Sequence, residues 1–426
     1  MKSELVKVYV SLSHLSSVSA MAAVASFVSP SAIAPLRRSC AIASRRFFCS
    51  PSSASRASRT QFRGLTRTAE QRSLKSAEVA ASVVAASRSQ AFYWAIPARK
   101  MSEVAASAVG QSTGGPDSSE HLKSPVVSVD WLHQHLKDPN VKVLDASWYM
   151  PGDQRNPLKE YQECHIPSAL FFDVDGVVDP ISELPHMLPT EAAFAAAASA
   201  LGLSNEDNLI VYDGKGLFSA ARVWWMFRAF GHENVWVLDG GFPKWRAKNY
   251  PVESTVSPDV LQKIESASGS VKKIYTQEKV EPSTFKAELQ PHLVWSRDQV
   301  LNNIGDKKFQ LVDARSKGRF DGTAPEPRKG IRGGHIPGST CVPFPEVLSS
   351  EGTLLDASEL AGKFRGSGVS LDSPIVASCG TGVTACILAL ALHRLGKKDV
   401  AVYDGSWTEW GMDPNTPVAT NIPANH

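Results

Sequence analysis

The residue best placed to do covalent chemistry in this chain is Cys379. It stands in the run Ile375-Val-Ala-Ser-Cys379-Gly-Thr-Gly-Val-Thr384, where a short apolar stretch breaks into a glycine-rich loop and passes directly into an apolar helical one. A buried strand ending here delivers the thiol to the carboxyl edge of a parallel sheet, where open α/β folds bind their ligands. Gly380 and Gly382 let the backbone curl so that several N–H groups point inward, and the next helix aims its N-terminus at the same spot. Backbone donors and a positive helix end favour an anion, here a thiolate or a persulfide, and so activate a nucleophile. Thr384, at the start of that helix, is expected to cap it and to contribute to the cradle. Taken alone, the loop also suits a buried structural cysteine at a strand end.

The remainder of the chain weighs against that second reading, because it repeats itself. VLDASWYMPG around Asp145 recurs as LVDARSKGRF around Asp313, and ECHIPSALFFDV around His165 recurs as GGHIPGSTCVPF around His335. The stretch holding Asp213, LIVYDGKGLFSAARVWWMFRAFGH, recurs as PIVASCGTGVTACILALALHRLGK, which holds Cys379. VWVLDGG at Asp239 recurs as VAVYDGS at Asp404. The offset is about 165 to 170 residues each time, a domain's length rather than a solenoid repeat. One copy keeps the scaffold with Asp213 where the other carries a thiol, the pattern of a retired domain beside an active one.

The elements that must position the thiol follow from the same alignment. β-Branched runs such as VKVLDA, NLIVYD, VWVLD, FQLVDA, PIVAS and VAVYD read as buried parallel strands. AARVWWMFRAFG and VTACILALALHRLG read as helices ending at Gly231 and Gly396. Alternating strands and helices give an α/β fold of two units, each a mainly parallel sheet with helices on both faces. Residues 124–254 form the first, non-catalytic unit and 286–420 the second, catalytic one, with 421–426 as a tail. Between them the sequence turns polar, and 255–285 reads as a linker.

Composition bounds the function. The first hundred residues carry an excess of about 12 positive charges and the remainder an excess of about 9 negative ones. An acidic body disfavours a nucleic-acid role, and no uninterrupted apolar stretch has membrane-spanning length. No acidic residue falls between Glu4 and Glu70, and that stretch is rich in Ser, Ala and Arg. Residues 1–123 therefore read as an organelle transit peptide and disordered lead, mitochondrial with chloroplast as the competitor. The six cysteines, Cys40, Cys49, Cys164, Cys341, Cys379 and Cys386, form no CxxC pair and match neither a zinc site nor a disulfide framework. Cys386 falls on the apolar helix and reads as core, Trp407 and Trp410 read as packing at the domain edge, and Cys164 and Cys341 lie beside the two HIP motifs.

The loop, the duplication and the stretch Gly318-Arg-Phe-Asp-Gly-Thr-Ala-Pro-Glu-Pro-Arg328 together resemble the tandem rhodanese-domain sulfurtransferases, on the side of the members that prefer 3-mercaptopyruvate, with a long leader that suits a plant member. The resemblance covers about 126–418. It implies that Cys379 takes the sulfane sulfur of a donor as a persulfide and passes it to a thiophilic acceptor such as cyanide, a small thiol or thioredoxin, with pyruvate released and no metal or organic cofactor. Thiosulfate-preferring members carry two cations after the cysteine, whereas here Gly380 and Thr381 stand there, so thiosulfate is expected to be the weaker donor. Arg319 and Arg328 are expected to hold the substrate's carboxylate and carbonyl, and Gly380, Gly382, Val383 and Thr384 to cradle its sulfur. A hydroxyl–imidazole–carboxylate relay would map onto Thr381, His165 and Asp153, although Thr replaces the commoner Ser and HIPSA the commoner HIPGA.

Two other readings compete. A Cys-dependent phosphatase needs an arginine at the end of its loop, six residues after the cysteine, and that position is Ala385. A non-catalytic persulfide carrier keeps the loop but has no need of the two arginines.

Overall fold

The computed structural model describes residues 124–421; the transit-peptide reading and the last five residues lie outside them. The first half runs β1 (Val126–Val127), α1 (Val129–His135), β2 (Val141–Asp145), α2 (Pro157–Glu163), β3 (Leu170–Phe171), α3 (Glu191–Ala200), β4 (Asn208–Tyr212), α4 (Ala220–Ala229), β5 (Val235–Leu238) and α5 (Gly241–Ala247). After α6 (Pro258–Tyr275), the second half repeats the plan. It runs β6 (Val294–Trp295), α7 (Arg297–Asp306), β7 (Gln310–Asp313), α8 (Lys317–Asp321), β8 (Thr340–Cys341), α9 (Ala357–Gly366), β9 (Ile375–Ser378), α10 (Ala385–Arg394), β10 (Ala401–Tyr403) and α11 (Ser406–Met412).

Each half is a five-stranded sheet, in orders β1-β5-β4-β2-β3 and β6-β10-β9-β7-β8, and every pairing is parallel. The strands read as continuous apolar runs because both faces are covered. β9 takes the central place, paired with β7 from Gln310↔Ile375 to Asp313↔Ser378, so Cys379 leaves the sheet between two flanking strands. β4 holds the same place in the first sheet and delivers Asp213. α4 and α10 pack against each other, and one apolar core runs through both halves. Their C-termini close at the expected glycines: the amide of His232 reaches the carbonyl of Phe227 at 2.9 Å, and that of Lys397 reaches Leu392 at 3.0 Å.

The polar stretch between the units is not an irregular linker. It holds the 18-residue α6, started by Ser257, which caps the Val260 amide, and by Pro258 in the first turn. α6 buries Ile264, Ala267 and Val271, one narrow stripe on an otherwise polar helix, and docks on α3. The stripe is too thin to stand out from the polar residues around it, and the alanine-rich face of α3 that receives it is visible only in the fold.

Candidate active site

Three carbonyls of the cysteine loop are pinned outward, and this decides where its amides point. The Cys379 carbonyl accepts from the Trp407 amide at 2.9 Å, and the Gly380 carbonyl from the Thr408 amide at 2.9 Å and hydroxyl at 2.7 Å. The Gly382 carbonyl accepts from Arg222 at 3.3 Å and from the Cys386 thiol at 3.1 Å. In a planar trans peptide the next N–H points opposite to the carbonyl. Gly380, Thr381 and Val383 therefore turn their N–H groups to the other side of the loop. Among the described residues, none of the amides from Gly380 to Thr384 donates to a protein acceptor, which leaves them to an anion. The amide of Cys379 itself is held by Ser406 at 3.2 Å.

The two glycines have different reasons. Gly382 has φ +75, and a Cβ there would meet the Asp404 carbonyl at 2.7 Å, so the turn admits no side chain. A Cβ on Gly380 would lie 3.1 Å from Nη2 of Arg319, so that glycine makes room for the guanidinium over the loop.

The first domain supplies an internal control. Its matching loop holds an anion of its own: the Asp213 carboxylate accepts from the amides of Lys215 at 2.8 Å, Phe218 at 2.7 Å and Ala220 at 2.9 Å. The same strand–loop–helix scaffold thus turns its amides onto a fixed carboxylate in the first half, at the position where the second half carries the Cys379 thiol.

Cys379 is 1 % exposed, whereas its neighbour Gly380 and the two arginines Arg319 and Arg328 are partly exposed. Arg319 is tied to Glu326 through Nε at 3.1 Å and Nη2 at 2.5 Å. Glu326 is shared with Arg315, whose guanidinium also grips Asp313. Arg328 differs: among the described residues it makes no hydrogen bond or ion pair. Burial and the neighbouring Arg319 hold it below the ordinary arginine range, against the opposing pull of Asp175, Cys379 and Glu326. A half-buried guanidinium with free donors, beside a second cation, is a ready partner for a carboxylate. The Thr381 hydroxyl is likewise free of protein partners among the described residues, and Thr381 itself is buried.

The relay from Thr381 through His165 to Asp153 is not assembled. Nδ1 of His165 meets the Tyr161 carbonyl at 2.7 Å, and Nε2 faces the Glu253 carboxylate at 3.5 Å. His335 sits alike, on the Phe320 carbonyl at 2.8 Å, so the repeated histidine pins a turn in both domains. Asp153 pairs with Lys215 at 2.6 Å. Thr384 occupies the N-cap of α10 without a side-chain cap bond, so its contribution to the loop is its amide. Cys386 is fully buried, as the sequence implied, and Trp407 and Trp410, read from sequence as packing at the domain edge, are fully buried too; burial pushes the Cys386 thiol upward and the half-buried Cys341 thiol up to about 12.

Several residues around the loop were given no role there from sequence. Ser406, Trp407 and Thr408 anchor it from the second domain. From the first domain come Arg222, ion-paired to Asp404 at 2.7 Å, and the Leu188 amide, which donates to Asp404 at 2.8 Å. Asp175, held by Trp148 and His186, faces Arg328. The available signal was Arg222 itself, a lone cation in the first turn of an apolar helix.

The family model of the rhodanese-like domain matches residues 128–248 and 296–413. The chain is a tandem rhodanese-domain sulfurtransferase. It is 62 % identical over 315 residues to thiosulfate/3-mercaptopyruvate sulfurtransferase 1, mitochondrial, of Arabidopsis thaliana, a match covering 74 % of this chain and 83 % of that one. The 3-mercaptopyruvate sulfurtransferase of Rattus norvegicus is 45 % identical over 293 residues, covering 67 % and 92 %. Among solved structures, the 3-mercaptopyruvate sulfotransferase SseA of Escherichia coli matches at 38 % identity and a TM-score of 0.56, over 67 % of this chain and 99 % of its own. In this rhodanese-domain chain no described helix is long and apolar enough to cross a membrane.

Proposed function

We propose that this sulfurtransferase takes its sulfur from 3-mercaptopyruvate, and more weakly from thiosulfate, through a persulfide on Cys379. The observation that carries the reading is the run of unspent amides that follows the thiol, with two guanidiniums near the loop, one of them without a protein partner among the described residues. The Cys379 thiolate attacks the donor's sulfur and the carbon–sulfur bond breaks. Its electron pair moves into the carbonyl as the enolate of pyruvate, which then takes up a proton. Arg328 and Arg319 hold the carboxylate and carbonyl oxygens on which that charge develops, and the loop amides hold the persulfide. A thiophilic acceptor, such as cyanide, a small thiol or thioredoxin, then attacks the outer sulfur and restores the thiolate. No step calls for a metal or organic cofactor.

The name of the Arabidopsis relative and the basic, acid-poor leader favour a mitochondrial address, with the chloroplast as the alternative. The test of the chemistry is incubation with mercaptopyruvate followed by intact-mass measurement. The expected result is one added sulfur, lost on adding cyanide. Cys379→Ser should remove both the added mass and turnover while the protein stays folded. Substantial turnover in that variant would refute the assignment, and a persulfide without turnover in the unsubstituted protein would favour a carrier.

A further inference from the structure

The two domains meet through a reciprocal contact. Asp239 at the end of β5 accepts from the Leu354 amide of the other domain at 2.8 Å, and Asp404 at the end of β10 accepts from the Leu188 amide of the first, also at 2.8 Å. α4 and α10 pack between these points. On one side only, the symmetry is broken by a charge. Arg222 of α4 is fully buried and reaches out of its own domain. It pairs with Asp404 at 2.7 Å, donates to the Gly382 carbonyl at 3.3 Å and to the His186 carbonyl. Because α4 and α10 begin at Ala220 and Ala385, the matching position in α10 is Ile387. The guanidinium thus occurs where it faces the cysteine loop, and an apolar side chain stands where the facing loop is filled by Asp213.

Burying a guanidinium is costly unless its partners are good, and an apolar pair is often as stable. A role beyond packing would account for the asymmetry. We propose that Arg222, supplied by the non-catalytic domain, is a positioning residue for the sulfur cradle. It holds the Gly382 carbonyl away from Cys379, so that the Val383 amide faces the sulfur. It also fixes Asp404, whose own carbonyl lies close behind Gly382. This rests on Cys379 being the sulfur-bearing residue. It gives the first domain a task in the reaction although its own loop is occupied. The other charged or titratable groups facing the loop are Arg319, Arg328, Asp175, Glu326, Asp404 and Cys386, none of which grips the Gly382 carbonyl except Cys386.

The test uses the full chain with Arg222→Lys and Arg222→Gln. Steady-state kcat and KM for mercaptopyruvate are read beside single-turnover sulfur loading of Cys379 by mass and beside thermal unfolding. Arg228→Lys, buried on the same helix but bound to Glu233 and the Lys398 carbonyl, is the control for packing alone. The expected result is a fall of at least about tenfold in kcat and in the loading rate, with KM changed less than about twofold because Arg319 and Arg328 are intact. Lysine should retain more activity than glutamine, and Arg228→Lys should keep its kcat. Folded Arg222 variants that load at the unsubstituted rate would overturn the inference, as would a rise in KM at unchanged kcat or the failure of both variants to fold. If the unsubstituted protein takes up no sulfur at Cys379, the proposed chemistry fails instead.

Discussion

Arg328 and Arg319 are neighbours at the cysteine loop but are not equally free, and replacing Arg328 by alanine should show it. Arg319 spends two donors on Glu326, whereas Arg328 has no protein partner among the described residues and is disfavoured by burial and by Arg319. A substrate carboxylate relieves that situation by accepting from the free fork. Two charge-assisted hydrogen bonds in a half-buried site are worth about 3 kcal/mol together. At 1.36 kcal/mol per decade, that loss is a fall of roughly 150-fold in kcat/KM for mercaptopyruvate. Thiosulfate has no carboxylate to orient and loses only the general attraction of one cation, about 1 kcal/mol or roughly fivefold. Arg328→Lys keeps the charge without the fork and should fall between. The assay is kcat/KM for both donors with cyanide as acceptor, beside thermal unfolding, where Arg328→Ala should cost little because no hydrogen bond or ion pair among the described residues is lost. Equal losses for the two donors would refute the reasoning and reduce Arg328 to a diffuse field; a marked loss of stability would show that it has an internal partner.

Asp213→Ala should destabilise by about 3–5 kcal/mol, since three buried amides lose their acceptor together; denaturant unfolding checks this, and a neutral effect would mean that the first-domain loop needs no anion. Burial pushes Asp145 up to about 6 from 3.8, against hydrogen bonds from Ser147 and Tyr212. Its folded form therefore binds the proton more tightly, and the stability it contributes at low pH is lost as pH rises through that window. Asp145→Asn should bring no gain near pH 4 and up to about 3 kcal/mol at pH 7, and an equal effect at both pH values in urea melts would contradict the burial argument. Replacing Gly380 by Arg and Thr381 by Lys should move donor preference toward thiosulfate, with a penalty from the Cβ that meets Arg319. An unchanged donor ratio would mean that the loop does not set specificity.

The sequence by itself determined the local features whose physics is contiguous. The apolar runs define the strands, the glycines after the two long helices define their ends, and Cys379-Gly-Thr-Gly with a helix behind it defines an anion cradle, because a few adjacent peptide planes are enough to build one. The duplication gave the two sheets and identified Asp213 as the counterpart of Cys379. The fold alone decided what lies between distant segments. His165 looked like a relay member because the family resemblance maps one onto it; its nitrogens are consumed by Tyr161 and Glu253, partners that no spacing specifies. The polar stretch 255–285 read as a linker because three buried side chains among eighteen residues give a weak periodicity, and the groove on α3 that rewards them is assembled from another part of the chain. Arg222 is 157 residues from Cys379 along the sequence and reaches the back of its loop because α4 packs on α10. That contact follows from burying two apolar helix faces against each other, a long-range consequence of hydrophobic burial that carries no local signature.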